Sequence, residues 1–292
     1  MKKLLPLFVF NLLYFSYTSA QQVSDFLDAY TGENAIPYIQ PLADIFTASV
    51  NTGTREWSRI DTSFYLRIRG QVIYSWPSEK SKTFNAVTPE NFEPQQLVEV
   101  PTIVGKNEAV AVAGVNETYY VFPTGYNVEI VPFGTPQITV GGFLHSELSA
   151  RFFAIPLNED LGEVQFWGVG GRHDVSHYFK NLPFHLSLGY FYHHIKLDEQ
   201  IVTNHNLVSA HIGKSGKWWS ADLMLGYQKA NMEANYTFTD GENFEEVHLE
   251  LSNDNPYIIE LSLGAKFSVI GINVSASYAD LLSASLGIGL YF

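Results

Sequence analysis

The sequence predicts a transmembrane antiparallel β-barrel of about ten to twelve strands with a short N-terminal helical segment, and three observations carry that expectation. Residues 282–292 alternate without a break. Leu282, Ala284, Leu286, Ile288, Leu290 and Phe292 are apolar, while Ser283, Ser285, Gly287, Gly289 and Tyr291 are small or amphipathic. A period of two marks a strand with one greasy face; at ~3.3 Å per residue and a tilt of ~45° it covers roughly 25 Å, the apolar band of an outer-membrane barrel. The composition is 46% hydrophobic and 15% aromatic with 22 glycines, yet mean hydropathy is only −0.02, as expected where lipid-facing and lumen-facing residues alternate. Beyond the first twenty residues no apolar run reaches the ~18 residues of a spanning helix, so the spans must be strands.

The terminal strand also resembles the signal read by the barrel-assembly machinery of Gram-negative outer membranes, with Ser285, Gly287, Leu290 and Phe292 in its four slots. The alternative is an ordinary amphipathic edge strand of a soluble sandwich. At the other end, Met1-Lys2-Lys3, an apolar stretch over Leu4 to Phe15 and the small residues Thr18, Ser19 and Ala20 read as a secretory signal peptide over 1–20. An N-terminal membrane anchor is the competing reading. With Gln21 as the first mature residue, loss of Lys2 and Lys3 takes the formal charge from −13 to −15. This acidic balance argues against nucleic acid. The absence of cysteine excludes disulfides, thiolate zinc sites, cysteine nucleophiles and a lipobox.

The expected organisation is a signal peptide over 1–20, a helical segment over 21–56 and a barrel over 57–292. Val23 to Val50 carries a helix-like apolar pattern interrupted by Pro37 and Pro41, which predicts two short helices or one kinked helix ended by Asn51-Thr52-Gly53. This segment either plugs the barrel or caps its periplasmic mouth; the alternative is an amphipathic tail packed on the outside of the base. Thr62 to Ser75 is the first spanning strand: Phe64, Leu66, Ile68, Val72 and Tyr74 point to lipid, and Tyr65, Arg67, Arg69 and Gln71 must face the lumen because arginine in mid-membrane is costly. Residues 76–117, with four prolines and several glutamates, form a large outer loop.

Thr118 to Val131 reads as a weaker strand, Pro132 to Pro136 as a turn, and Gln137 to Ile155 as one long strand. On that strand Leu144, Leu148 and Phe152 face out and His145, Glu147 and Arg151 face in. Asn158 to Gly162 is a turn, Val164 to His173 a Gly-rich strand, and Asp174 to Asn181 one helical turn capped by Asp174. Strands follow at 184–196, 206–213 and 218–229, with His193 and Asp222 facing in and His194 facing out. Residues 230–256 form an outer loop with its own hairpin or strand extensions above the membrane, and strands at 257–269, 272–278 and 282–292 complete about ten. The lumen-lining candidates are Tyr65, Arg67, Arg69, His145, Glu147, Arg151, Asp222, Glu260 and Lys266.

His173 and His177 stand four apart, a spacing that can present two imidazoles on a helix, but only a turn is expected there and no metal site is assigned. No Gly-x-Ser-x-Gly elbow occurs, so neither catalysis nor a cofactor is expected. Three stretches carry a resemblance: Gly168-Val169-Gly170-Gly171-Arg172-His173-Asp174 running on to Leu182-Pro183-Phe184, Asn273 to Tyr278 leading into Leu286-Gly287-Ile288-Gly289, and Pro37-Tyr38-Ile39-Gln40-Pro41-Leu42-Ala43. Together they resemble an uncharacterised family of outer-membrane barrels that is distantly similar to the FadL-type transporters of hydrophobic compounds. The resemblance implies a plugged barrel in the bacterial outer membrane and no residue-level function. The expected activity is passage or binding of a small, apolar solute through a polar lumen, with outer-membrane lipid and the assembly machinery as partners. The alternative is a structural or adhesive surface barrel working through its outer loops.

Overall fold

A computed structural model describes residues 32–156, 163–179, 182–198, 200–240 and 243–292; of residues 236–245 the side chains are not described. The signal peptide, the first part of the expected helical segment and the turn at 158–162 lie outside the described residues. Ten strands close a barrel: β1 (Tyr65–Trp76), β6 (Val131–Phe143), β7 (Ser146–Pro156), β8 (Glu163–Asp174), β9 (His185–Leu197), β10 (Ile201–Ser215), β11 (Trp219–Asp240), β13 (Tyr257–Phe267), β14 (Ile270–Tyr278) and β15 (Leu282–Tyr291). All neighbours are antiparallel. β10 pairs with β11, and β1 pairs with β15 from Arg67↔Tyr291 to Trp76↔Leu282, so no edge is left in the wall. Phe292 finishes this seam, its N–H donating to Leu66 O at 2.8 Å.

The alternation read from the sequence governs the wall. Outward side chains such as Ile68, Leu148, Leu188, Leu225, Leu261 and Leu286 are exposed, while their chain neighbours are buried or half-buried in the interior. No described helix is long and apolar enough to cross a membrane; the apolar belt on the strands is what meets lipid.

Two strands differ from the sequence reading. The stretch 118–131 does not span. It contributes β5 (Tyr119–Phe122), which pairs with β4 (Val110–Ala113) in the outer loop, near a second small hairpin of β2 (Thr83–Val87) and β3 (Leu97–Pro101). Pro132 to Pro136 is not a turn but the outer half of β6. There β6 has its partner β1 on one side only, because its pairing with β7 begins at Gln137, and a missing N–H is tolerated on an unpaired side. The rings of Phe133, Phe153 and Phe166 pack where β6 and β7 part, with centroids 5.0–5.5 Å from one another. The expected single strand 137–155 is instead β6 and β7 joined at Leu144-His145, both with positive φ (48° and 58°), the geometry of a two-residue hairpin turn. His145 therefore does not line the lumen. It stacks on His177 at the end of the barrel opposite the long loops, centroids 3.9 Å apart.

Above the membrane β11 continues and pairs with β12 (Asn243–Ser252), which has no other strand partner among the described residues, so the hairpin extends the wall without entering it. The short helical element after Asp174 is a 3₁₀ turn, Ser176–Tyr178; Asp174 Oδ1 accepts the Ser176 N–H at 2.8 Å.

Among the described residues one helix, α1 (Ala35–Asn51), occupies the lumen, preceded by a 3₁₀ turn at Gly32–Asn34. Neither Pro37 nor Pro41 splits it. Pro37 stands in the first turn, where N–H groups have no intrahelical partner anyway, and Pro41 removes one bond. The helix enters at the mouth that carries the long loops: Ile103 N–H donates to Tyr38 O at 3.0 Å, and Tyr38 Oη to Thr124 O at 3.0 Å. Its last turn and residues 52–58 then descend to the opposite end, where β1 begins. Tyr38, Ile39, Ala43, Ile45 and Ala48 share one core with Ala86, Val100 and Phe122 of the outer loop and Leu207, Met224 and Ile258 of the wall. Burial of side chains the size of Ile39 and Ile45 stabilises by roughly 1.5–3 kcal/mol each.

Candidate functional site

Two arrangements stand out along the lumen: a charged belt that grips the descending segment, and a pocket at the outer mouth. The belt begins where α1 ends. Gly53, with φ +63°, turns the chain so that its N–H donates to Glu260 Oε2 at 2.6 Å while its carbonyl accepts from Arg69 Nη2 at 2.8 Å and from Arg151. Arg151 Nη1 also donates to Val50 O at 2.8 Å, in the last turn of α1, where carbonyls lack helical partners and the helix dipole favours a cation.

Below Gly53, Arg55 contacts Asp222, donates to His211 Nδ1 at 2.7 Å and lies 3.8 Å from Glu260. Glu56 stands 3.7 Å from Arg69 Nε and accepts from Thr139 at 3.0 Å. Trp57 O accepts from Arg172 at 2.5 Å, and the Trp57 ring lies against Gly264, where an added Cβ would come within 3.1 Å of it. A third cluster gathers around Glu147: Tyr65 Oη donates to it at 2.5 Å, Arg172 Nη2 at 2.7 Å, and Arg67 sits 3.6 Å away. All these charges are buried, a cost that paired geometry and hydrogen bonds offset. Hydroxyls extend the grip, with Ser49 Oγ 2.8 Å from Ser75, and Thr52 Oγ1 2.6 Å from Ser277.

The structure thus places Tyr65, Arg67, Arg69, Glu147, Arg151, Asp222 and Glu260 on the lumen face and joins them through residues 50–57. Glu147 and Arg151, four apart on β7, do not touch; each meets other partners. Lys266 is half-buried at the end opposite the long loops, its ammonium 6.0 Å from the Tyr291 ring centroid. Of the terminal motif, Ser285 and Gly287 face the lumen, and Leu290 and Phe292 face outward. Sequence reading missed Arg55, Glu56, Arg172, Gln137 and Asn273. Arg172 was within reach of parity counting along β8, since Gly168 and Gly170 share its face. Arg55 and Glu56 carry no periodic signal at all.

At the outer mouth a cavity of about 360 Å³ opens between the first turns of α1, residues 80–84 and 102 of the outer loop, and Asp254; small-molecule sites begin at about that size. Ile36, Pro37, Pro41 and Phe84 give it an apolar wall. Its polar side holds Gln40, Asp44 and Asp254, with Ser81, Thr83 and Thr102 opposite. Asp44 Oδ1 accepts the Asp254 N–H at 2.8 Å. Burial, with added repulsion from Asp254 and Asp280, pushes the Asp44 carboxyl up to about 6. Lys80 lies on Asp280 of the neighbouring turn.

Residues 1–292 match the family described as "Family of unknown function (DUF6588)". None of the curated proteins matches the chain. Among solved structures, the toluene transporter TbuX of Ralstonia pickettii aligns at 9% identity over 95% of this chain and 98% of its own, with a TM-score of 0.29. The transport unit of the autotransporter AIDA-I from Escherichia coli aligns at 11% identity over 88% and 99%, with a TM-score of 0.31. A loop-deletion mutant of OmpT, an outer-membrane protein of Vibrio cholerae, aligns at 11% identity over 79% and 98%, with a TM-score of 0.27. Likenesses of this size decide nothing about the chain, whose fold rests on its own closed sheet.

Proposed function

For this chain, which belongs to the family of unknown function DUF6588, we propose a barrel of the bacterial outer membrane that binds a small amphipathic solute at its outer mouth and passes it when the plug shifts. The apolar belt supports the location, since a closed barrel with lipid-facing Leu, Ile and Phe fits that membrane. The observation that carries the solute reading is the mouth cavity itself: half its wall is the plug helix, through Ile36, Pro37, Gln40, Pro41 and Asp44. A ligand seated there contacts the element that fills the lumen, so its binding energy can bias the plug between two positions. The outer loop bonds to the same helix at Tyr38, which favours a lid over an independent adhesive surface.

Two measurements test this. Calorimetric titration of the purified barrel with 2-phenylethanol, 2-phenylethylamine and 3-phenylpropionate, one skeleton in three charge states, should show saturable binding of at least one. No binding of any at millimolar concentration overturns the site. For passage, Ser49→Cys with Ser75→Cys, whose hydroxyls are 2.8 Å apart, introduces the only two cysteines and ties plug to wall. Liposome swelling should stop on oxidation and return on reduction. Equal swelling in both states would show that passage does not need the plug to move.

A further inference from the structure

We propose that the outer-mouth cavity selects organic cations, an ammonium group on an apolar body, over neutral or anionic molecules of the same shape. The inference rests on the solute-binding reading above and adds the ligand's charge. It follows from counting hydrogen-bond donors and acceptors around the cavity. The hydroxyl and amide donors of the lining side chains are committed within the protein. Ser81 Oγ donates to Ser78 O at 2.7 Å, Thr102 Oγ1 to Ser81 O at 2.7 Å, and Thr83 Oγ1 to Glu99 at 2.7 Å. Gln40 Nε2 donates to Ser252 O at 2.7 Å, and the Gln40 side chain also bonds Asp44. The cation of the lining, Lys80, is held on Asp280.

What remains open to a ligand is acceptor capacity: hydroxyl lone pairs and two carboxylates, Asp44 and Asp254, with no cation of the lining left unpaired. A carboxylate ligand would meet an excess of like charge, with Asp44, Asp254 and the nearby Asp280 against the single ammonium of Lys80, which is itself paired with Asp280. A neutral alcohol could donate one bond. An ammonium brings three donors and the opposite charge to a partly desolvated carboxylate, the combination that is worth most. Ile36, Pro41 and Phe84 would cover the apolar body, and an aromatic face beside a cation adds attraction.

The carboxylate facing the ligand is also the one that titrates nearest neutrality. Asp44 faces Asp254 from the turn after β12 and Asp280 from the turn before β15, with Lys80 paired to the latter. With its carboxyl at about 6, nearly all of it is ionised at pH 7.5 and only about a tenth at pH 5. Cation affinity should therefore fall by up to about tenfold across that interval.

The experiment is calorimetric titration of the full barrel in detergent with the same three phenyl probes. The expected result is binding of 2-phenylethylamine at least tenfold tighter than 2-phenylethanol and none of 3-phenylpropionate, with the amine weakened up to tenfold at pH 5. Asp44→Asn, which keeps the oxygen that accepts the Asp254 N–H, should reduce the preference and remove the pH dependence. Asp254→Asn should weaken the amine while leaving the pH dependence, and Phe84→Ala should weaken amine and alcohol alike. Heat-modifiable migration establishes that each variant is folded. Tighter binding of the alcohol or the carboxylate overturns the cation inference and leaves the solute site standing; no binding of any probe overturns both. An amine preference unchanged in folded Asp44→Asn and Asp254→Asn would place the cation elsewhere and also overturns it.

Discussion

The guanidinium of Arg151, on the wall, donates to the carbonyl of Val50 at 2.8 Å, 101 residues away in sequence. It meets the plug helix at the one end where backbone oxygens lack partners, so this wall residue caps the helix and helps to fix its depth. Arg151→Met keeps much of the volume and removes the donors. Charge-assisted bonds are worth about 1.5–3 kcal/mol each, and the variant should show more frequent channel openings in planar bilayers than the parent. A variant with the openings and the stability of the parent would show that Arg151 does not hold the plug.

Glu147 is the counter-charge of two arginines, with Arg172 at 2.7 Å and Arg67 at 3.6 Å, and accepts from Tyr65 as well. Glu147→Gln should destabilise by about 3–5 kcal/mol, because it leaves buried guanidinium groups uncompensated. Tyr65→Phe removes one hydrogen bond and should cost about 1–2 kcal/mol. Urea midpoints of heat-modifiable migration give both values, and the order of the two is the test: Tyr65→Phe costing as much as Glu147→Gln would contradict the pairing.

Gly53 sits at φ +63°, and a Cβ there would come within 2.6 Å of Ser285 Oγ. Gly53→Ala meets both a left-handed backbone and a hydroxyl it must displace, so a loss of about 1–3 kcal/mol is expected. Adding Ser285→Gly makes room but leaves the backbone strained, and should restore only part of the loss. Full recovery would show that space alone requires glycine here.

The wall was legible because lipid and lumen impose a period of two on every strand; Thr62 to Ser75 and Leu282 to Phe292 could be faced from their side chains alone. The count of ten also followed from alternation, although two of the ten were placed wrongly. Leu144-His145 make the β6–β7 turn without glycine, asparagine or proline of their own; the local mark is Gly141-Gly142 just before them, with Gly142 at φ +96° in a bulge, whereas Pro132 and Pro136 look like a turn and lie in a strand. The belt was half legible: parity puts Arg67, Arg69, Glu147 and Asp222 inside. Their partners Arg55 and Glu56 sit on an irregular segment whose path is set by tertiary contact. The mouth cavity has no sequence signature, because it joins residues 36–44, 80–84, 102 and 254 from four separate stretches.

The facing of β1 can be checked by cysteine labelling in a chain that has no cysteine of its own. Ile68→Cys, at a position 44% exposed on the lipid face, should react with a lipid-soluble maleimide and not with a charged one. Gln71→Cys, 4% exposed against the plug, should react with neither until the barrel is unfolded. Rapid labelling of Gln71→Cys by the lipid-soluble reagent in the folded barrel would invert the assignment.

Asp44 makes the stability of the mouth depend on pH. Its carboxyl lies at about 6 in the folded chain against 3.8 for the ordinary group, with burial as the main cause. Folding therefore favours the protonated form. Between about pH 3.8 and 6 the folded state binds more protons than the unfolded one, so stability from this group falls as pH rises through that window. Above 6 the full penalty is present, of order 3 kcal/mol at 1.36 kcal/mol per pH unit. Asp44→Asn carries no such penalty and keeps the acceptor for the Asp254 N–H. Amide exchange in residues 35–44 should be slower at pH 5 than at pH 7.5 in the parent, after correction for the intrinsic exchange rate. The variant should show the slower, corrected rate at both pH values. Equal protection in the parent at the two pH values would mean that the carboxyl is not held above its ordinary range. It would also remove the expected pH dependence of cation binding at the same pocket.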